Sequence, residues 1–218
     1  MASSAASLRE IPTYSMAEAA QYLRMSGPKV RSWSHGSGLI EASHSRLLSF
    51  NNILELHVLN GLRKKHALPM QRIRAAIEQY KKLYDNNHPL LDPRVVTDGF
   101  QLFLRSEDEI VNLSRSGQLA IPKIISAYLR RIERHNDDIY FFPFVVHDTE
   151  EEPKNIQITP SVAFGKPVLA GTGIKTEVIA GRFLNRDSIA DLAEEYEVEQ
   201  SKIEDALRWE LPNLLNVA

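Results

Sequence analysis

Apolar positions recur at helical spacing in several short segments of this chain, and polar residues mark where each segment starts and stops. Ser15 with Glu18 has the spacing of a capping box, in which the hydroxyl accepts one orphan amide and the carboxylate reaches back to another. Met16, Ala19, Ala20 and Leu23 then fall on one face of a short helix. Arg24-Met25-Ser26-Gly27 breaks the pattern, and Pro28 suits the first turn of a second helix. Val30 and Trp33 can face the first helix, which turns Ser26, Lys29, Arg31, Ser32 and His35 outward. After Gly36-Ser37-Gly38, Leu39-Ile40 and Leu47-Leu48 flank a polar tip, Ser43-His44-Ser45-Arg46, as in a hairpin. This order predicts a winged helix-turn-helix. Its second helix would lie in a major groove, and His44 and Arg46 of the wing would hold the backbone.

Further on, Phe50 to Lys65 reads as a helix capped by Asn51 or Asn52, with Ile53, Leu56, Leu59 and Leu62 on one face. Pro69 opens another, striped by Ile73, Ile77 and Leu83, and Asp85 to Pro89 is a breaker run. Val95-Val96, Phe100–Leu104 and Ile110–Leu113 are strand-like. Ile121 to His135 has helical spacing, with Tyr128, Leu129 and Ile132 inward and Arg130, Arg131 and Arg134 outward. Ile139 to Val146 is an aromatic strand expected in the core. Asn155–Ile158 is a short strand, followed by the glycine-punctuated loop Ser161–Ile174 and a helix from Thr176 to Phe183. Asp187 or Ser188 caps the next helix, and Ser201 with Glu204 suggests a capping box for the last. The expected fold is mainly α with small β elements. Residues 1–83 form the winged helix-turn-helix, 84–147 a small α+β middle section able to dimerise, and 153–218 a three-helix, helix-turn-helix-like bundle.

Charge sharpens this division. The net charge is −2, yet residues 1–83 hold twelve Lys/Arg against five Asp/Glu, and residues 147–218 hold seven against fourteen. A basic front and an acidic rear point to a polyanion at one end and a different partner at the other. The chain has no cysteine, so disulfides and thiolate metal sites are excluded. No long apolar run suggests a membrane span, and a cytoplasmic location is expected.

Catalytic chemistry finds little support. The seven histidines are scattered without a His-Glu-x-x-His pair. His35 and His44 fall in the expected DNA-contact region, and the other five are expected at the surface. Gly165 and Gly171 are separated by five residues and Lys166 is misplaced for a phosphate loop, while Gly171-x-Gly173 lacks the third glycine of a dinucleotide fingerprint. The glycines are therefore expected to permit tight turns. No catalytic residue, metal ligand or cofactor is assigned.

Two family resemblances add to this reading. The order S-x-x-E-A-A-x-Y-L, V-R-S-W, G-L-I and R-L-L-S, within Ser15 to Leu83, is similar to the start of MerR-type regulators. The resemblance implies that Lys29, Arg31 and Arg46 contact DNA and that Trp33 is core. The segments F-G-K-P-V-L-A-G-T-G-I, S-I-A-D-L-A-E-E-Y and I-E-D-A-L, within Ile156 to Glu210, resemble the domain of unknown function 433. Gly173 stands where that family usually has arginine. Members commonly look like antitoxins encoded beside a PIN-like ribonuclease toxin. The combination resembles a VapB-type antitoxin: a homodimer that binds a double-stranded DNA operator, represses its own operon and neutralises the toxin. The alternative is a free-standing MerR-like regulator whose rear domain binds a ligand or another protein.

Overall fold

A computed structural model describes residues 8–36, 39–42, 44–66, 70–84, 87–92, 128–145 and 151–214. The fold is mainly α-helical with three small two-stranded antiparallel sheets among the described residues. These residues divide into two compact units, one within Glu10–Arg130 and one within Arg131–Ala218 that also takes in Leu8 and Arg9. The expected strands between residues 95 and 113 lie outside the described residues.

The first unit opens with β1 (Tyr14–Ser15) and α1 (Met16–Tyr22). The capping box forms: the Glu18 amide donates to Ser15 Oγ at 3.2 Å, and the Ser15 amide donates to Glu18 Oε2 at 2.8 Å. α2 (Gly27–Arg31) begins with Pro28 in its first turn and runs on into a π-helical turn, Ser32–Gly36. β2 (Leu47–Leu48) pairs antiparallel with β1, Tyr14 opposite Leu48 and Ser15 opposite Leu47. Leu47-Leu48 is thus not paired with Leu39-Ile40, as a hairpin wing would require. Leu39 and Ile40 are instead buried core residues, and the Ile40 amide donates to the Trp33 carbonyl at 3.3 Å. Their apolar area seats the end of the π turn rather than building a strand.

α3 (Phe50–His66) is the centre of this unit, with every residue from Phe50 to Leu62 buried. Its cap is Ser49, one turn-start earlier than Asn51 or Asn52. The Asn52 amide donates to Ser49 Oγ at 3.2 Å and the Ser49 amide to Asn52 Oδ1 at 3.1 Å, so asparagine takes the role glutamate plays in α1. The buried polar residues of α3 are satisfied internally, as such groups must be. His57 Nε2 lies 3.0 Å from the Tyr128 carbonyl, and Asn60 Nδ2 donates to the Leu23 carbonyl at 3.4 Å. His57 is therefore not a surface residue. α4 (Met70–Tyr84) buries Ile73 and Ile77, and a 3₁₀ turn follows at Pro89–Leu91.

In the second unit, β3 (Ile132–His135) and β4 (Asp138–Phe141) form a hairpin with His135 opposite Asp138. This corrects the helix expected through His135. Asn136 takes a left-handed conformation, φ 54°, and turns the chain back on itself. Arg131 is buried rather than outward, at 1% exposure. Its Nε donates to the Phe142 carbonyl at 2.6 Å, one terminal nitrogen to Glu152 O at 2.7 Å and the other to the carbonyls of Pro143 and Pro153. Burial lowers its pKa while the Glu152 and Glu133 charges raise it, with a net downward shift. The aromatic run from the end of β4 is core: Phe141, Phe142, Phe144 and Val145 are buried.

β5 (Ile156–Gln157) pairs antiparallel with β6 (Val168–Leu169). α5 (Thr176–Leu184), α6 (Ile189–Glu195) and α7 (Gln200–Leu214) complete the unit. Ser188 caps α6 by accepting from the Asp191 amide at 3.1 Å. Ser201 lies inside α7, which begins one residue earlier, so it does not serve as its cap. Arg182 of α5 meets both Glu195 oxygens at 2.5 and 2.6 Å and Asp187 at 2.6 Å, fixing α5 against α6.

Candidate functional site

The helical segment 27–36 sets out the cationic residues of the first unit. Val30 and Trp33 are buried, so the segment cannot rotate to hide the opposite side. Ser26, Arg31, Ser32 and His35 are exposed on it, and the Ser26 hydroxyl makes no capping bond. Lys29 is half-buried and differs from these. Its ammonium donates to Asn60 Oδ1 at 3.0 Å and stands 4.4 Å from the Trp33 ring centroid. This lysine is held back against α3 by a hydrogen bond and a cation–π contact. Asn60 was not singled out from the sequence; an amide on the apolar stripe of α3 was the available signal.

His35 joins the π turn to the following loop. Ser34 Oγ donates to the Val30 carbonyl at 2.8 Å and lies 2.8 Å from His35 Nδ1. His35 Nε2 lies 3.1 Å from the His44 carbonyl, and the Arg46 amide donates to His44 Nδ1 at 3.2 Å. A carbonyl only accepts, so His35 Nε2 donates to the His44 carbonyl. His35, His44 and Arg46 are thus one hydrogen-bonded group, with all three side chains exposed. An exposed arginine on the helical segment and another on the loop, with histidines between, suit a phosphate backbone.

The glycine-punctuated loop of the second unit spends most of the amides around Gly171 on its own backbone and side chains. The Leu169, Ala170, Thr172 and Thr176 amides donate to backbone carbonyls, the Gly171 amide to Gln157 Oε1, and the Ile174 amide to Thr172 Oγ1. A cradle needs amides that are not already spent. Gly171 has φ 80°, so one glycine is required by the turn, whereas a Cβ on Gly173 would meet nothing within 4 Å. Ala163, Phe164 and Gly165 are successive left-handed residues, and Phe164 is 88% exposed at the tip.

Among the described residues no helix is long and apolar enough to cross a membrane, and no group of three His, Asp or Glu could hold a metal ion. Of the histidines expected at the surface, His88 lies in a half-buried cluster with Glu10 and Glu55, and His135 is exposed beside Glu133.

Comparison with known proteins bears on both units. The family described as "Protein of unknown function (DUF433)" matches residues 156–209, which run from β5 into α7. The chain is 27% identical over 229 aligned positions to the candidate antitoxin VapB45 of Mycobacterium tuberculosis (strain ATCC 25618 / H37Rv), covering 91% of this chain and 93% of that protein. The crystal structure of Rv2018 from Mycobacterium tuberculosis is similar with a TM-score of 0.70 at 24% identity, over 90% of this chain and 98% of that one. The two chains share a fold.

Proposed function

We propose that the chain is the antitoxin of a type II toxin–antitoxin system, which binds a PIN-like ribonuclease toxin and represses its own operon. The observation that carries this reading is the similarity to VapB45 along nearly the full length of both proteins. A MerR-type head within residues 1–83 docks on double-stranded operator DNA, with Ser26, Arg31, Ser32 and His35 toward the groove and His44 and Arg46 on the backbone. Lys29 adds positive charge from its place against Trp33. A homodimer built by residues 84–147 presents two heads to half-sites about 34 Å apart. Residues 153–218 take the toxin.

Titration of promoter DNA with Arg31→Ala and Arg46→Ala at several salt concentrations tests the DNA half. Affinity falls and the salt slope flattens by ~1 for each lost phosphate contact. Unchanged binding refutes that half. For the toxin half, the protein encoded beside this gene is co-purified with the chain; a deletion of residues 153–218 that still inhibits the ribonuclease refutes it.

A further inference from the structure

Arg31 and Arg46 are exposed on two different segments of the first unit. Arg31 closes α2, whereas Arg46 stands in the loop between Ile40 and β2. That loop is fixed at both ends. At one end Ile40 is buried with its amide on the Trp33 carbonyl, and the Glu41 carbonyl accepts from Asn52 Nδ2 at 2.9 Å. At the other, Leu47 and Leu48 pair with β1. The His35 ring reaches the stretch between these ends. Its Nε2 donates to the His44 carbonyl at 3.1 Å, and the His44 ring in turn accepts the Arg46 amide at 3.2 Å. On the helical side, Ser34 is buried, and its Oγ lies 2.8 Å from both the Val30 carbonyl and His35 Nδ1. A relay of hydrogen bonds thus runs from the buried side of the helical segment to the backbone of Arg46.

Both ring nitrogens of His35 are committed inside this relay, so the ring has no uncommitted nitrogen to offer a phosphate or a base edge. The Arg46 guanidinium differs: among the described residues no hydrogen bond or ion pair engages it. His35 is itself exposed, and a hydrogen bond open to water adds little to the stability of the fold. Its effect lies in where it leaves Arg46. A long side chain on a loose loop gives up freedom when it seats on a partner, and a tie that holds the loop beforehand lowers that cost.

We infer that His35 is a positioning residue for operator binding: it contacts no nucleotide itself, and through the His44 carbonyl it sets Arg46 at the phosphate backbone. This rests on the DNA-binding reading above. The test titrates promoter DNA with the full chain as parent, His35→Ala, Arg46→Ala and the double variant, with His35→Gln alongside. Ser34 keeps the Val30 carbonyl as its partner throughout, and thermal melts check that each variant is folded. His35→Ala binds about fivefold more weakly than the parent, but adds less than about twofold where Arg46 is already alanine, because members of one hydrogen-bonded network couple. His35→Gln, whose amide nitrogen has the reach of Nε2 and donates as it does, stays within about twofold of the parent. A general loss of folding would move the Arg46→Ala background equally and would not be rescued by glutamine. Losses that add across the two sites show the ring meeting DNA for itself and overturn the assignment. A His35→Ala chain as tight as the parent overturns it too, as does a His35→Gln chain as weak as His35→Ala; both leave the DNA-binding reading standing. A parent that does not bind promoter DNA removes that reading and this inference with it.

Discussion

His88 Nδ1 lies 2.9 Å from Glu55 Oε2, joining the residue before the 3₁₀ turn to a carboxyl that is 1% exposed in α3. On the other side of the ring, Nε2 is 3.1 Å from both Glu10 oxygens, and Asn51 Nδ2 donates to Glu10 Oε1 at 2.7 Å. Burial raises the Glu55 pKa above its usual 4.5, and the hydrogen bond and charge of His88 only partly oppose this. For His88, burial pulls down, but bonds to and charges of Glu55 and Glu10 outweigh it, so its pKa is raised above 6.5.

Both shifts have the same consequence for stability. A raised folded-state pKa contributes stability below the unfolded value and loses it as pH rises through the folded value. The loss begins above 4.5 for Glu55 and above 6.5 for His88. Urea denaturation of the parent between about pH 6 and 9 therefore shows falling stability, and His88→Gln flattens the profile by on the order of 1 kcal/mol. Parallel profiles for the two proteins would contradict this.

Gly61 lies under the ring of Tyr128. A Cβ there would come within 2.6–2.8 Å of three ring atoms. Glycine to alanine in a helix ordinarily stabilises by up to about 1 kcal/mol. Here the sign reverses, and Gly61→Ala destabilises by roughly 1–3 kcal/mol through overpacking. Denaturant midpoints read the difference.

The buried Arg131 guanidinium serves four carbonyls, those of Phe142, Pro143, Glu152 and Pro153. Arg131→Met strips these acceptors of their donor without restoring water. A loss of ~3 kcal/mol or more is expected, read by thermal or urea unfolding. Arg131→Lys recovers only part of it, since an ammonium cannot reproduce the planar fork.

Two glycines two residues apart respond differently. Gly171→Ala forces a side chain onto φ 80° and costs about 1–2 kcal/mol. Gly173→Ala has open space and an ordinary φ, and it is neutral or stabilising by ~0.5 kcal/mol. Melting temperatures of the two variants give the comparison.

What could be seen in the sequence was local. Ser15 and Glu18 are three residues apart, as are Ser188 and Asp191, and caps of that span follow from neighbours alone. Non-local pairing was hidden. Leu47-Leu48 had an adjacent apolar dipeptide at Leu39-Ile40, but its partner is Tyr14–Ser15, more than thirty residues away. Ile132 continued a helical stripe from Tyr128 and Leu129, and that spacing outweighed the turn signal of Asn136-Asp137. At the candidate DNA surface, the exposure of Arg31 was foreseeable from what Val30 and Trp33 must bury. The retention of Lys29 by Asn60 was not, because it depends on how α2 crosses α3.

The left-handed glutamate between α6 and α7, φ 54°, leaves heat resistance unclaimed. Glu197→Gly relieves its backbone and raises the melting temperature, so a laboratory lineage selected for survival on warming alone drifts toward glycine there.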